Sequence, residues 1–189
     1  AITFAGNGDP TMHPEFAEIV EDTIAVRDRL APAAKLCVLT NSTNLLKPKV
    51  AEALARFDLP MFKIDALDDD WVRRVNRPQC PYNQAALVEA LKAWQGRCII
   101  QTMFLCGTAE GVSVDNTTDD FVEPWLEVLR RIRPKYVSIY SLDRDAPCST
   151  LKKAAPECLI EIGERVKAAG IPVQVSVKAS EVRREKERT

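Results

Sequence analysis

Six short apolar segments alternate with amphipathic helical patterns along these 189 residues, and this alternation restricts the fold more than any other feature of the sequence. Each segment is rich in β-branched or aromatic residues and is bounded by turn-forming residues, as buried strands are. The predicted strands are Ile2–Ala5, Leu36–Leu39, Met61–Ile64, Cys98–Leu105, Tyr136–Leu142 and Pro172–Val177. Strands that alternate with helices predict an α/β domain built on a parallel sheet.

Predicted helices fill the intervals between these strands and carry their apolar residues on one face. They are Pro14–Leu30, Pro48–Phe57, Asn83–Trp94, Phe121–Ile132 and Pro156–Ala169. No interdomain linker interrupts the pattern, so residues 1–178 are predicted to form one core. Residues 179–189 are charged and have almost no apolar anchor, which predicts a C-terminal tail.

The composition narrows the classes of function. A formal net charge of −1 leaves no global basic field for nucleic acid or an anionic membrane. No apolar run approaches the roughly 18 residues that span a bilayer. The six cysteines show neither CxxC nor CxxxCxxC spacing. We therefore expect a cytoplasmic protein with reduced thiols and no membrane partner.

Polar side chains recur on one face of the predicted strands. Lys63 and Asp65 point the same way, because alternate residues of a strand share a face, and later strands add Gln101, Ser138 and Tyr140. A closed, filled barrel would not tolerate this polarity, so we expect an open barrel whose lumen holds a ligand. The two charged residues would pair with a polar ligand, with water or with each other, or would form a structural salt bridge at the strand end.

The run Gly6–Pro10 ends the first predicted strand. Its two glycines allow the backbone to approach a ligand closely. Asp9 adds a carboxylate at the carboxyl edge of the sheet, where ligands of parallel α/β folds bind. An acidic turn suits an ammonium group and does not suit a phosphate.

Several strand-end motifs resemble those of the radical S-adenosylmethionine (SAM) enzymes. Ile2–Pro14 resembles their second-strand motif, in which a Gly-Gly-Glu-Pro-like turn holds the amino group of SAM; Asn7–Pro10 matches that turn, with Asp in place of Glu. Leu39–Ser42 looks like the Thr-Asn turn that ends the third strand. Further similar segments are Lys63–Asp68, Val75–Pro78, Ile100–Leu105 and Ile139–Arg144. The combination is most similar to the radical SAM family grouped with the wyosine-forming tRNA-modifying enzymes.

The resemblance implies a TIM-barrel-like, open, partial (β/α)6 radical SAM barrel that lacks the first βα unit. It also implies two cofactors, SAM and a 4Fe-4S cluster. The family places a cluster-binding CxxxCxxC motif ahead of the glycine-rich turn, and that motif does not occur in these 189 residues. We therefore expect the cluster ligands to lie in a missing N-terminal segment, and we assign no metal ligand.

The resemblance further implies a set of cofactor-binding residues around the carboxyl ends of the strands. They are Asn7, Gly8, Asp9, Asn41, Lys63, Asp65, Gln101 and Tyr140. The first three belong to the turn that would hold the amino group of SAM. The next three would lie near its ribose or carboxylate, and the last two near its nucleoside or the substrate. No catalytic residue is assigned.

Three functional hypotheses remain open at this point. In the first, the full-length protein is a radical SAM oxidoreductase that cleaves SAM at the cluster to a 5′-deoxyadenosyl radical, with an external electron donor and either tRNA or a small metabolite as substrate. In the second, the chain is a cluster-less module that binds SAM or a nucleoside without catalysis. In the third, it is an unrelated barrel enzyme that acts on a small metabolite.

Overall fold

The six predicted strands form one parallel sheet in the structure, a computed structural model that describes residues 1–143 and 148–177. In chain order the strands are β1 (Ile2–Phe4), β2 (Leu36–Thr40), β3 (Leu59–Lys63), β4 (Ile99–Met103), β5 (Leu105–Ala109), β6 (Val112–Ser113), β7 (Tyr136–Tyr140), β8 (Leu151–Lys153) and β9 (Val173–Val175). The parallel sheet has the order β1-β2-β3-β4-β7-β9 and does not close. The predicted open α/β partial barrel is confirmed. Arg144 and the predicted tail lie outside the described residues.

In the described residues, five helices begin and end close to the predicted positions, and a sixth, short helix lies outside the five predicted ranges. They are α1 (Phe16–Leu30), α2 (Pro48–Leu54), α3 (Asp69–Val75), α4 (Gln84–Lys92), α5 (Asp119–Ile132) and α6 (Pro156–Ala168). Proline occupies the first turn of α2 and α6, where its missing N–H costs no helical hydrogen bond. Asp68 caps α3 by accepting hydrogen bonds from the N–H groups of Asp70 and Trp71. No helix in the described part of the chain is long and apolar enough to cross a membrane.

The main core lies between the helices and one face of the parallel sheet. Phe62, Val137 and Ile139 are completely buried on that face and belong to the same cluster as Leu91 of α4 and Trp125 of α5. The residues that alternate with these three along β3 and β7 are only half-buried. The opposite face of the sheet is therefore a lumen that solvent can reach, as the polarity of the predicted strands indicates.

The predicted strand Cys98–Leu105 is wrong at its carboxyl end. The parallel strand β4 stops at Met103, and Leu105 starts a separate strand of a small antiparallel sheet with the order β6-β5-β8. Asn116 stabilises this break. Its amide donates to the carbonyl oxygens of Asp65 and Met103, both at 2.9 Å, and its carbonyl accepts the Leu105 N–H at 2.8 Å. The sequence pattern does not reveal the second sheet, because the continuous apolar run Cys98–Leu105 contributes residues to strands of both sheets.

A tight hairpin joins β5 to β6. Its two loop residues, Glu110 and Gly111, have φ values of 53° and 76°. Two consecutive positive φ values are those of a type I′ turn, whose twist matches that of antiparallel strands. The small sheet packs on α3 through Trp71, whose indole N–H donates to the Val114 carbonyl at 3.0 Å. This sheet and α3 together form one side of the opening of the lumen.

Candidate functional site

The carboxyl ends of the parallel strands surround a cavity of about 620 Å³. Seven of the eight residues predicted to bind a cofactor line it. They are Asn7, Gly8, Asp9, Asn41, Lys63, Gln101 and Tyr140. The cavity lies where ligands of open parallel sheets bind, outside the carboxyl ends of the strands. The residues that the sequence analysis singled out in separate motifs therefore share one site.

Strand register explains why the lumen is polar. Lys63 of β3 is paired with Gln101 of β4, Gln101 with Ser138 of β7, and Ser138 with Gln174 of β9. Directly paired residues of neighbouring strands point to the same face of a sheet, so these four side chains form one row across the lumen. The next row towards the carboxyl edge contains Met103, which is paired with Tyr140.

The glycine-rich turn after β1 is open towards the cavity. A Cβ atom placed on Gly6 or Gly8 would meet no atom within 4 Å. The backbone groups of Asn7 and Gly8 make no hydrogen bond with any described residue. The turn therefore presents unpaired carbonyl oxygens and N–H groups, with free space for a ligand to approach them.

The Asp9 carboxylate holds this turn against β2. One oxygen accepts hydrogen bonds from the N–H and the hydroxyl of Thr11, at 2.9 and 2.5 Å. The other accepts from the Thr40 hydroxyl at 2.8 Å and from the Asn41 N–H at 2.5 Å. A carboxylate has about four lone-pair sites, and here all are occupied. Asp9 lines the cavity as predicted, but its oxygens are already engaged in positioning the two loops.

The turn after β2 is equally well connected. The side-chain carbonyl of Asn41 accepts hydrogen bonds from the N–H and the hydroxyl of Thr43, at 3.0 and 2.7 Å. The side-chain N–H groups of Asn41 have no partner among the described residues. Asn44, which the sequence analysis did not single out, is buried and donates to the Thr11 carbonyl at 3.1 Å. These contacts fix the position of both loops relative to each other.

Lys63 and Asp65 pair with each other at the floor of the cavity, with 2.9 Å between the ammonium nitrogen and a carboxylate oxygen. Asp65 also accepts the Met103 N–H at 2.8 Å and the Asn76 amide at 2.9 Å. Its side chain is 0% exposed, whereas that of Lys63 is 25% exposed. Asp65 therefore does not line the cavity: it lies beneath the wall and supports Lys63 from behind, and its contact with a cofactor stays a prediction.

Sequence reasoning missed the roles of two asparagines in this network. Asn76 appeared in the similar segment Val75–Pro78, and the structure shows it lining the cavity and bonded to Asp65. Asn116 is fully buried, and its side-chain amide donates two hydrogen bonds to backbone carbonyls and accepts one from a backbone N–H. Nothing in the sequence marks Asn116, because its partners are backbone groups that only the fold brings close.

Neighbouring charges and burial shift the pKa values of the lumen residues. Burial disfavours the charge of Lys63, but the Asp65 carboxylate and the Tyr140 hydroxyl outweigh it, so the pKa of the Lys63 ammonium is raised. Burial, reinforced by Asp65, raises the pKa of Tyr140 to about 12. The cavity wall at neutral pH therefore carries a protonated lysine and a neutral tyrosine.

Replacing Tyr140 with phenylalanine is expected to change how stability depends on alkaline pH. The unfolded chain loses the tyrosine proton near its ordinary pKa of 10, whereas the folded protein retains it up to about 12. The stabilisation from this proton is thus fully present below pH 10 and is lost as the pH rises through 12. At about 1.4 kcal/mol per pKa unit, the loss is about 2 to 3 kcal/mol.

The measurement is urea unfolding of the wild type and Tyr140→Phe across this pH range. The difference between their unfolding free energies should shift in favour of the variant as the pH rises above 10. Tyr136→Phe, at the less buried amino end of the same strand, is the control and should show a smaller shift. A constant difference between wild type and Tyr140→Phe would contradict the prediction.

A second cavity of about 550 Å³ adjoins the first on the β7–β9 side of the lumen. Five residues line both cavities. They are Gln101, Tyr140, Ser141, Leu142 and Asp143. Ser141 is held in place, since its hydroxyl donates to the Phe104 carbonyl at 2.7 Å and accepts the Ala154 N–H at 2.9 Å. The two cavities are compartments of one lumen, separated by a shared wall.

A metal-binding cluster of side chains does not occur in the described residues. No group of three His, Cys, Asp or Glu side chains among residues 1–143 and 148–177 could hold a metal ion. All six cysteines are free, and they are dispersed over the fold. The described residues therefore do not fit a 4Fe-4S cluster, which needs several thiolates in one place.

No model of a known protein family matches the sequence, but individual relatives do. A UPF0026 protein of Helicobacter pylori (strain J99) is 25% identical over 161 residues, which cover 84% of this chain and 49% of the relative. A UPF0026 protein of Synechocystis sp. is 30% identical over 150 residues, which cover 77% of this chain and 51% of the relative. The chain thus spans about half the length of the curated relatives it matches.

Solved structures share the fold at low sequence identity. A domain of the pyruvate-formate lyase-activating enzyme from Bacteroides vulgatus superposes with a TM-score of 0.66 at 15% identity, covering 93% of this chain and 98% of that one. A radical SAM methyltransferase from Sphaerobacter thermophilus gives 0.66 at 18%, covering 93% and 50%. Streptococcus suis SuiB bound to SAM gives 0.63 at 13%, covering 91% and 38%. The chain therefore has the open, partial-barrel fold of the radical SAM enzymes and is similar in sequence to the UPF0026 proteins.

Proposed function

We propose that these residues form the SAM-binding core of a radical SAM enzyme that performs 5′-deoxyadenosyl-radical chemistry. The 4Fe-4S cluster would be held by a part of the protein that this sequence does not include. The observation that carries the proposal is that seven of the residues implied by the radical SAM resemblance line one cavity of a radical SAM fold. The similarity to wyosine-synthase-like radical SAM proteins remains a prediction from the sequence.

The first cavity suits SAM in size and in the chemistry of its wall. Its volume of about 620 Å³ falls within the range of small-molecule sites. The unpaired carbonyl oxygens of Asn7 and Gly8 are acceptors for an ammonium group. We assign this contact to the backbone rather than to Asp9, whose oxygens are all engaged.

Lys63 would provide a fixed donor for the carboxylate or the ribose of SAM. Its ammonium has three N–H groups. Asp65 and Tyr140 engage it from the protein side, while a quarter of the side chain remains exposed to the cavity. Because Asp65 balances its charge, Lys63 can stay protonated in a half-buried position without a ligand.

The chain's own residues bind and orient, and the cofactors supply the chemistry. SAM, together with a cluster held outside these residues, would supply radical chemistry that this chain's side chains cannot supply. Within this chain, the glycine turn and Asn41 would position the amino-acid end of SAM, and Gln101 and Tyr140 would separate SAM from the second cavity. The external electron donor, the substrate and a cytoplasmic location also remain proposals.

Filling the space above the glycine turn should block SAM. In Gly8→Val the new side chain extends into open space, because a Cβ atom on Gly8 meets no atom within 4 Å. The thermal unfolding midpoint should therefore stay unchanged. The substitution should weaken SAM binding, measured by calorimetry, by about tenfold or more. Ala93→Val, on an exposed residue at the end of α4, is the matched control and should not alter affinity. Equal affinities for wild type and Gly8→Val would overturn the placement of SAM.

A second candidate is a SAM- or nucleoside-binding module without catalysis, since the residues that line the first cavity could bind such a ligand without a cluster. Anaerobic reconstitution with iron and sulfide separates the two candidates. If the protein extended by its upstream coding sequence gains charge-transfer absorption and releases 5′-deoxyadenosine from SAM, it is the enzyme. If SAM binds but neither signal appears in the extended protein, the non-catalytic module is correct.

A further inference from the structure

A row of neutral polar side chains in the second half of the lumen has no hydrogen-bond partner among residues 1–143 and 148–177. Gln101, Ser138 and Gln174 are paired in register on β4, β7 and β9. Within the part of the chain that the structure describes, no hydrogen bond engages any of their side chains. Neighbouring strands lie about 4.8 Å apart, so the three groups present donors and acceptors at regular intervals. Gln101 and Ser138 are half-buried, and half-buried polar groups without a protein partner favour a ligand or ordered water.

Two members of the row face the second cavity. Gln101 and Ser138 lie in its wall, together with Ser176, and Gln174 is exposed at the open edge on β9. Apolar side chains complete the wall, among them Leu142 and Leu159. Small-molecule sites usually combine apolar side chains with a few well-placed polar groups that determine the orientation of the ligand.

The described residues that line the second cavity carry no net charge. The residues of its wall that are charged at neutral pH are Asp143 and Lys153, which are opposite in sign, and both already interact within the protein. The lysine of the first cavity, Lys63, is balanced by Asp65. A charged group entering the second cavity would lose its hydration and find no free counter-charge, whereas a neutral polar group would find matching hydrogen bonds.

We infer that the second cavity binds an uncharged, amide-type group of the substrate through Gln101 and Ser138 in its wall, and that Gln174, the exposed neighbour of Ser138 on β9, extends this contact. Glutamine amides are suited to this, because each offers a donor and an acceptor side by side and pairs with a group that does the same. The inference rests on the proposed function, in which SAM fills the first cavity. The shared wall of Gln101 and Tyr140 then brings the amide-type group directly beside the cofactor.

The test uses three small probes of nearly equal shape and different charge. They are nicotinamide, nicotinate and 3-(aminomethyl)pyridine, titrated into the ¹⁵N-labelled chain with S-adenosylhomocysteine at saturation. Nicotinamide should shift the side-chain amide resonances of Gln101 and Gln174 saturably. The anionic and cationic probes should bind about tenfold more weakly or not at all. Equal or tighter binding of either charged probe, or no saturable shift with nicotinamide, would overturn the inference.

Variants locate the binding to the row. Ser138→Ala and Gln174→Leu should each weaken nicotinamide binding by about fivefold to tenfold, the loss of one neutral hydrogen bond, without changing affinity for S-adenosylhomocysteine. Gln95→Leu, on an exposed residue that leads into the amino end of β4, is the control. Unchanged nicotinamide affinity in both row variants would contradict the inference.

The two proposals fail separately in this design. If S-adenosylhomocysteine does not bind, the proposed function fails, while the nicotinamide titration still reports on the second cavity. If S-adenosylhomocysteine binds and nicotinamide does not discriminate, only the substrate class is wrong.

Discussion

Asp65→Ala is expected to lower the free energy of unfolding by about 3 to 5 kcal/mol, the cost of removing one partner of a buried ion pair. The Asp65 carboxylate is 0% exposed and accepts from the Lys63 ammonium, the Met103 N–H and the Asn76 amide at 2.8 to 2.9 Å. Without it, a half-buried cation and two donors lose their acceptor, and a polar void remains. Urea unfolding at neutral pH measures the loss.

Two controls separate the buried pair from ordinary ion pairing. Asp70→Ala breaks the Arg73–Asp70 contact of 2.7 Å, in which both side chains are more than half exposed, and should cost less than about 1 kcal/mol. The double variant Lys63→Met/Asp65→Leu removes both charges and should recover part of the loss, because no uncompensated charge remains. A cost for Asp65→Ala no greater than that for Asp70→Ala would show that Asp65 does not support the cavity floor.

Gly107→Ala should distort the small antiparallel sheet and cost about 3 kcal/mol, combining backbone strain with overpacking. Gly107 has a φ of 112°, and a Cβ atom added there would lie 2.1 Å from the Thr150 carbonyl oxygen. The obstacle is backbone, so β8 must move away from β5. Because Leu151 and Lys153 of β8 line the two cavities, the change should also alter the opening of the lumen.

The matched control is Gly96→Ala. Gly96 also has a positive φ, 71°, but a Cβ atom there meets nothing within 4 Å. It should therefore show only the conformational cost of the left-handed region, about 1 to 2 kcal/mol. Faster amide hydrogen exchange in β5 and β8 should accompany Gly107→Ala alone. Equal stability losses and equal exchange in the two variants would mean that the close approach of β8 is not required.

Several residues of the cavity wall were predictable from the sequence. Asn7, Gly8 and Asn41 were implied by turns that resemble those of the radical SAM enzymes, and each turn follows a parallel strand whose carboxyl end lies at the same edge. Lys63 and Gln101 were predicted because a charged or amide side chain on a buried strand needs a polar environment. These polar residues are recognisable in the sequence because the face of the sheet that packs on the helices must be apolar, whereas the lumen face can carry polar side chains.

The contacts within the site depended on pairing between distant segments. Asp9 resembled a ligand for an ammonium group, but Thr40 and Asn41, more than thirty residues away, complete its hydrogen bonds. Asp65 was predicted to lie in the cavity, but its carboxylate accepts hydrogen bonds from Asn76 and the Met103 N–H and lies beneath the cavity wall. A carboxylate is satisfied by whichever donors the fold brings within reach, and sequence spacing does not reveal them.

The sequence by itself determined the alternation of strands and helices, the polar face of the sheet and the open glycine turn, because these follow from periodicity and from the conformational freedom of glycine. Tertiary structure alone decided where β4 ends, through the amide of Asn116, and how the lumen divides into two cavities at Gln101 and Tyr140. It also aligned Gln101, Ser138 and Gln174 into one row. Register is a relation between strands, so it becomes visible only when the strands are paired.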